Sequence, residues 1–118
     1  DISIGAGRFY GGHPPLPFTA GREGVGRVLE GSAFAAGTLV ATLKTASGSF
    51  AERFVADESE LWEIPGDADP VAAAALGIAG LAGWLGVAER GRIREGDRVL
   101  VLGATGTVGS VAVRRSAA

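Results

Sequence analysis

Three glycines with the spacing Gly103-x-x-Gly106-x-x-Gly109 point most directly to chemistry in this chain. They follow an apolar run at 98–102 that suits a strand buried on both faces of a parallel sheet, and they open a predicted helix over 107–115. In such a unit the glycines permit a tight turn, a close approach to pyrophosphate and close helix packing, while the helix N-terminus offers free N–H groups. A plain glycine turn is the alternative. The pattern favours a dinucleotide site formed by Gly103, Ala104, Thr105, Gly106, Thr107, Val108 and Gly109.

Other catalytic chemistries are poorly supplied. The chain has no cysteine, and its one histidine, His13, lies in a loop rich in Gly and Pro. A hydrolase triad would need this histidine to lie beside a nucleophilic serine, and no such serine motif is present, so we predict a solvated His13. A zinc site would need several His or Cys ligands, so we predict no metal site. Phe9 and Tyr10 could either line a substrate pocket or anchor the loop.

The composition excludes several classes of partner. The 118 residues are 47% hydrophobic and carry a net charge of −2, which supplies no basic field for nucleic acid. The stretch 71–88 has no charge and reaches the lower length limit for a membrane span, but 11 of its 18 residues are Ala or Gly. Because its larger apolar residues recur at helical spacing, we predict a soluble core helix and no membrane partner. With no signal-peptide pattern, a cytoplasmic protein is expected.

The remaining elements are predicted from periodicity and turn residues. Residues 1–20 are expected to be mostly loop after a short initial strand. An Asp69-Pro70 pair predicts a helix start, with two helices over 71–76 and 78–89 broken near Gly77. Four β-favouring runs favour an antiparallel barrel or sandwich, and they cover residues 25–30, 38–43, 49–56 and 61–64.

Taken in order, six motifs resemble those of the medium-chain dehydrogenases/reductases, with the strongest resemblance to the zinc-independent quinone oxidoreductase branch. The resemblance implies an α+β and α/β chain, with a partial GroES-like β-barrel substrate domain over 1–66 and connecting helices over 67–90. The first βα unit of a Rossmann NAD(P)-binding domain would then occupy 91–118. The six motifs lie at 21–28, 37–40, 48–52, 64–65, 72–76 and 96–109.

The resemblance also implies an enzyme that transfers hydride from NADPH to a quinone or another α,β-unsaturated carbonyl without zinc. Phe9, Tyr10 and Arg22 are the candidates for the substrate cleft, where Arg22 would polarise a carbonyl or bind an acidic group. Arg22 occupies the position of a zinc-ligating histidine in zinc-dependent relatives, and Arg cannot ligate a metal. Ala82 replaces a threonine that approaches the cofactor in many members.

Several alternatives stay open at this point. The same scaffold serves enoyl reductases and alcohol dehydrogenases, and a truncated or degenerate copy would be a non-catalytic module. The expected partner is a small carbonyl or quinone substrate, and the full-length protein could form a homodimer. A chain that begins at Asp1 and contains no methionine is typical of a piece of a longer gene product.

We expect the isolated 118-residue chain to be inactive and to bind NADPH weakly. The residue that separates NAD from NADP lies about 20 residues after such a glycine loop, which is past Ala118, and one strand with one helix cannot bury its own apolar faces. Titrating the isolated chain with NADPH, followed by nicotinamide fluorescence, should show no saturation. Saturation in the low micromolar range would contradict this expectation.

Overall fold

The computed structural model describes residues 2–45 and 48–118, and the chain divides into the compact units Asp1–Ala74 and Ala75–Ala118. Its elements make a small α+β chain with one three-stranded antiparallel sheet, as the sequence predicted at the level of class. The helices and strands are α1 Ile2–Gly5, β1 Gly24–Arg27, β2 Leu39–Thr42, a 3-10 turn Glu58–Glu60, β3 Trp62–Glu63, α2 Pro70–Leu85, a π-helical turn Gly86–Arg90 and α3 Thr107–Ser116.

Strand β2 is the centre of the sheet. It pairs with β1 in a register that sets Gly24 opposite Thr42, and with β3 in a register that sets Ala41 opposite Trp62. Because neighbours satisfy both of its edges, β2 holds the buried residues Leu39, Val40 and Thr42. The strands predicted over 25–30, 38–43 and 61–64 are confirmed, each shortened to the residues that find a ladder partner.

The strand predicted over 49–56 is wrong. Two backbone N–H groups at the start of this segment bond to the facing loop, from Ser49 to the Gly21 carbonyl (3.2 Å) and from Phe50 to the Ala20 carbonyl (3.0 Å), but no strand forms. Phe54 packs its ring over Gly24 of β1, whereas Phe50 is 69% exposed. Alternating side chains satisfy the pattern of a strand, but a strand also requires a continuous hydrogen-bonded neighbour, and this segment lacks one. A cleft of about 800 Å³ remains between this segment and the sheet.

Two further strand predictions are corrected by the structure. The chain begins with the helical turn α1 instead of a strand, since Ala6 and Arg8 donate their N–H groups back to the Ile2 and Ser3 carbonyls. Residues 98–102 form no strand either, and Leu100 and Leu102 are each 84% exposed. An apolar run of this type is a strand only between parallel neighbours, and the described residues supply none.

The helical predictions hold well. The Asp69 carboxylate accepts a hydrogen bond from the Val71 N–H (3.0 Å), which confirms the helix start at Pro70. The break at Gly77 is confirmed by its non-helical dihedral angles (φ −3°, ψ −130°). In the second unit a Cβ on Gly83 would lie 2.5 Å from the Val108 carbonyl oxygen, so this glycine permits α2 and α3 to pack at close range.

One helical stretch, Pro70–Arg90, is long and apolar enough to cross a membrane by length and composition alone. Its largest side chain, Trp84, is 43% exposed, and little of the stretch is buried apart from Gly80, Gly83 and Val87. The assignment as a core helix therefore stays a prediction.

Glu58 ties the 3-10 turn to the loop that precedes β2. Its carboxylate accepts hydrogen bonds from the Ser32 N–H (2.5 Å), the Ser32 hydroxyl (2.6 Å) and the Ala33 N–H (3.0 Å). These hydrogen bonds hold the pKa of Glu58 below its usual range. The bond from the Ser32 hydroxyl is the largest cause, and the two backbone bonds add to it. Three donors therefore fix this loop through one charged side chain.

Replacing Glu58 with Gln should lower the free energy of unfolding at neutral pH, because the amide offers a weaker acceptor. Since folding lowers this pKa, the stabilisation is fully present above the ordinary glutamate pKa and is lost as the pH falls through the folded value. Denaturant unfolding of wild type and variant is monitored by tryptophan fluorescence from pH 7 to pH 3. The free energies of unfolding of the two proteins should differ at pH 7 and converge at acidic pH. Glu52→Gln, at an exposed position, is the control and should show no such convergence; a pH-independent difference for Glu58→Gln would contradict the account.

Candidate functional site

An open cavity of about 290 Å³ lies in the first unit, beside the loop that follows α1. A turn closed by a hydrogen bond from the Gly12 N–H to the Phe9 carbonyl (3.0 Å) brings this loop back toward Gly21. The ring of Phe9 lies over Gly11, and that of His13 lies over Gly7. The side chains that line the cavity include Ile4, Phe9, His13, Phe18, Arg22 and Thr45.

The position of Arg22 is set by hydrogen bonds on both sides of it. Thr45 donates its N–H to the Arg22 carbonyl (2.9 Å) and its hydroxyl to the Gly21 carbonyl (2.6 Å), and the Ser49 hydroxyl donates to the Glu23 carbonyl. Gly48 (φ +77°) is required here, because a Cβ at this position would overlap the Thr19 carbonyl. The Arg22 backbone is therefore fixed, while its guanidinium stays exposed at the cavity.

The structure brings together two of the three predicted cleft residues. Phe9 and Arg22 line the same cavity, whereas Tyr10 is 96% exposed and does not line it. Tyr10 instead contacts Phe9, with ring centroids 4.4 Å apart and planes tilted by 45°. His13 is exposed, as the sequence predicted, and it also lines the cavity. No spacing rule connects His13 to Arg22, because a loop closure and not a regular element places them together.

In the second unit, the predicted glycine loop forms a tight turn directly before α3. Gly103 adopts a left-handed conformation (φ +70°), and its carbonyl accepts the Gly106 N–H (3.1 Å). A Cβ on Gly109 would overlap that same carbonyl, so the first turn of α3 lies directly against the loop. The tight turn and the close helix approach are two of the three tasks that the sequence predicted for these glycines.

The N-terminus of α3 has no side-chain cap. Gly106 occupies the N-cap position in an extended conformation (φ −76°, ψ 164°), where Ser, Thr, Asp or Asn would ordinarily accept a hydrogen bond from the first turn. The first helical bond runs from the Ser110 N–H to the Gly106 carbonyl (2.8 Å). The N–H groups of Thr107, Val108 and Gly109 consequently have no acceptor within the helix.

This geometry fits an anionic group. Free N–H groups and the positive end of the helix dipole attract phosphate, and a Cβ on Gly106 would meet only the Gly103 carbonyl oxygen, at 3.6 Å. The side of the loop that faces this terminus is therefore open. Across residues 2–45 and 48–118, no group of three His, Cys, Asp or Glu side chains is placed to hold a metal ion.

Comparisons with known proteins cover most of the chain. It is 37% identical over 108 residues to quinone oxidoreductase-like protein 2 of Mus musculus, an alignment covering 85% of this chain and 29% of that protein. It is 34% identical to quinone oxidoreductase of Homo sapiens, covering 87% of this chain and 32% of that protein. It is 37% identical over 119 residues to prostaglandin reductase-3 of Bos taurus, covering 97% of this chain and 30% of that protein.

The chain spans about three-tenths of the length of the curated relatives it matches. No family model matches it. The resemblance predicted from the six motifs is nevertheless confirmed, since proteins named as quinone oxidoreductases or quinone oxidoreductase-like align with 85–87% of this chain at 33–37% identity. Over this aligned length, the chain belongs to the quinone oxidoreductase-like branch of the medium-chain dehydrogenase/reductase superfamily.

Proposed function

We propose that the protein carrying this chain is an oxidoreductase that transfers hydride from NADPH to a quinone or another α,β-unsaturated carbonyl without zinc. Its relatives are named oxidoreductases, and these names support an enzyme at the level of the family. In this proposal residues 1–66 belong to a GroES-like substrate domain, 67–90 connect it, and 91–118 begin a Rossmann domain.

One observation carries the proposal: the N-terminus of α3 has no side-chain cap, and it follows a tight turn in which Gly103 adopts a left-handed conformation. A helix that only packs against its neighbours gains stability from a capping side chain: relative to Gly, a Ser, Thr, Asp or Asn at the N-cap adds roughly a few tenths of a kcal/mol. Gly106 forgoes that gain and leaves three amides free. Such a terminus suits a ligand with phosphate oxygens, which would accept the hydrogen bonds that a cap would otherwise accept.

Gly103 to Gly109 would hold the pyrophosphate of the cofactor. The amides of Thr107, Val108 and Gly109 would donate to its oxygens, and the bare Cα of Gly106 would permit the close approach. When bound, the nicotinamide supplies the hydride, and a proton completes the reduction of the substrate. The contribution of this chain is orientation and the exclusion of water from the reacting groups.

The cavity beside Phe9 and Arg22 is our proposed substrate site. Its volume, about 290 Å³, is close to the lower end of the range for small-molecule pockets, roughly 300–1,000 Å³. The rings of Phe9 and Phe18 offer apolar surface to a planar substrate, and Arg22 offers a positive charge that would fix its orientation. Tyr10 lies outside the cavity, so we assign it no contact with the substrate in this conformation.

Replacing Gly106 with Asp should weaken NADPH binding although it should stabilise α3. The dihedral angles of Gly106 suit any residue, and Asp is among the best N-caps, so the variant should fold. Its carboxylate would occupy the amides that we assign to phosphate and would repel the phosphate charge. The Kd for NADPH, measured by nicotinamide fluorescence on the complete gene product, should rise by roughly a hundredfold, about 2.7 kcal/mol.

Gly106→Asn is the matched control, because its amide caps the helix with the same shape but without the charge. We expect Gly106→Asn to bind NADPH less tightly than wild type and more tightly than Gly106→Asp. Equal affinities for wild type and Gly106→Asp would contradict a phosphate site at this terminus. Thermal unfolding of both variants, at or above the wild-type midpoint, would show that the loss of binding is not a loss of folding.

A further inference from the structure

Resting on the proposed function, we infer that the cavity beside Arg22 selects substrates that carry a carboxylate. His13 and Arg22 would hold the carboxylate, and the rings of Phe9 and Phe18 would contact the planar unsaturated part of the substrate. The proposal adds to the reductase reaction a substrate class, namely unsaturated carbonyl compounds with an acidic group. It also gives His13 a role as a specificity-determining residue.

The first support is the placement of two donor side chains at one opening. Arg22 comes from the segment that leads into β1, and His13 comes from the loop after α1, nine positions earlier. Within residues 2–45 and 48–118, neither the guanidinium nor the imidazole forms a hydrogen bond or ion pair with another side chain. Guanidinium and imidazole together offer N–H donors that match the two oxygens of a carboxylate.

The second support is the local charge. The unit Asp1–Ala74 has ten acidic and five basic residues, so its net charge is negative and its surface as a whole favours cations. The described side chains that line the cavity nevertheless include no Asp or Glu. The nearest acidic residue in sequence, Glu23, lines the separate cleft between the sheet and residues 49–56. The cavity is therefore an anion-favouring site within an acidic unit, and this contrast distinguishes it from an ordinary polar surface.

The third support is the fixed geometry of the site. The Arg22 backbone is held by the Thr45 N–H and lies between carbonyls that accept from the Thr45 and Ser49 hydroxyls. The His13 ring packs against the bare Cα of Gly7, where a Cβ would lie 2.7 Å from Cε1 of the imidazole. Side chains on held backbone lose less conformational entropy when they bind a ligand, so they discriminate between ligands more strongly.

A pair of probes, measured without NADPH so that neither can be reduced, tests this inference on the complete gene product. Cinnamate and cinnamamide share the planar unsaturated skeleton and differ in charge, and calorimetry measures the Kd of each. Because charge-assisted hydrogen bonds are about twice as strong as neutral ones, cinnamate should bind about tenfold more tightly than cinnamamide. The ratio of the two Kd values should fall toward one in Arg22→Gln and should fall in His13→Gln, while Arg22→Lys should retain part of it.

Arg53→Gln is the matched control, since it removes the same charge from the same unit at an exposed position that does not line the cavity. It should leave the ratio unchanged. Equal affinity for the two probes in wild type, no binding of either probe, or a tenfold ratio retained in Arg22→Gln would overturn the inference. Circular dichroism checks that each variant is folded, and if Arg22→Gln fails this check, Arg22→Lys and His13→Gln decide.

Turnover is measured separately, as NADPH-dependent reduction of a neutral enone, 4-phenyl-3-buten-2-one, and of the same enone with a carboxylate on its phenyl ring. Absence of turnover of both enones with the cinnamate preference intact would refute the reductase and leave the carboxylate site standing. Turnover without any cinnamate preference would refute the carboxylate site alone. The two proposals therefore fail in different measurements.

Discussion

The contact between Gly109 and the carbonyl of Gly103 is the constraint on which the geometry of the glycine loop and α3 depends. It leaves no space for a Cβ, so the first turn of α3 lies directly against the loop that precedes it. That contact, with the left-handed Gly103, fixes where the amides of Thr107 and Val108 emerge. The phosphate site that we propose would therefore rest on backbone geometry, without any charged side chain.

The first unit relies on a different kind of constraint, which is backbone hydrogen bonding between segments far apart in sequence. Among the described residues, Thr45, Ser49 and Phe50 donate hydrogen bonds to the carbonyls of residues 20–23, and the glycine at 48 permits the close approach of the two segments. The buried core of the sheet is small, because Leu39 and Val40 are its two buried apolar residues within the described ranges. Order around the cavity therefore derives more from these hydrogen bonds than from apolar packing.

Local signals in the sequence predicted the structure where a local cause determines it. Asp69 with Pro70 starts a helix, Gly77 interrupts it, and the glycine loop turns into α3, all through interactions within a few residues. The strands predicted at 49–56 and 98–102 failed because a strand requires a partner that periodicity cannot supply. The place of His13 at the cavity was not predicted for a similar reason, since loop closure brings it to the same cavity as Arg22 from a position that no motif links.

The amides at the start of α3 are proposed to bind the phosphates of a nicotinamide dinucleotide. Hydrogen–deuterium exchange on the complete gene product, with and without NADPH, tests this proposal at the residues concerned. We predict slower exchange concentrated in the peptide that covers residues 103–110, because ligand oxygens would protect amides that have no acceptor within the helix. Unchanged exchange in that peptide at saturating NADPH, or protection confined to other parts of the protein, would contradict the account.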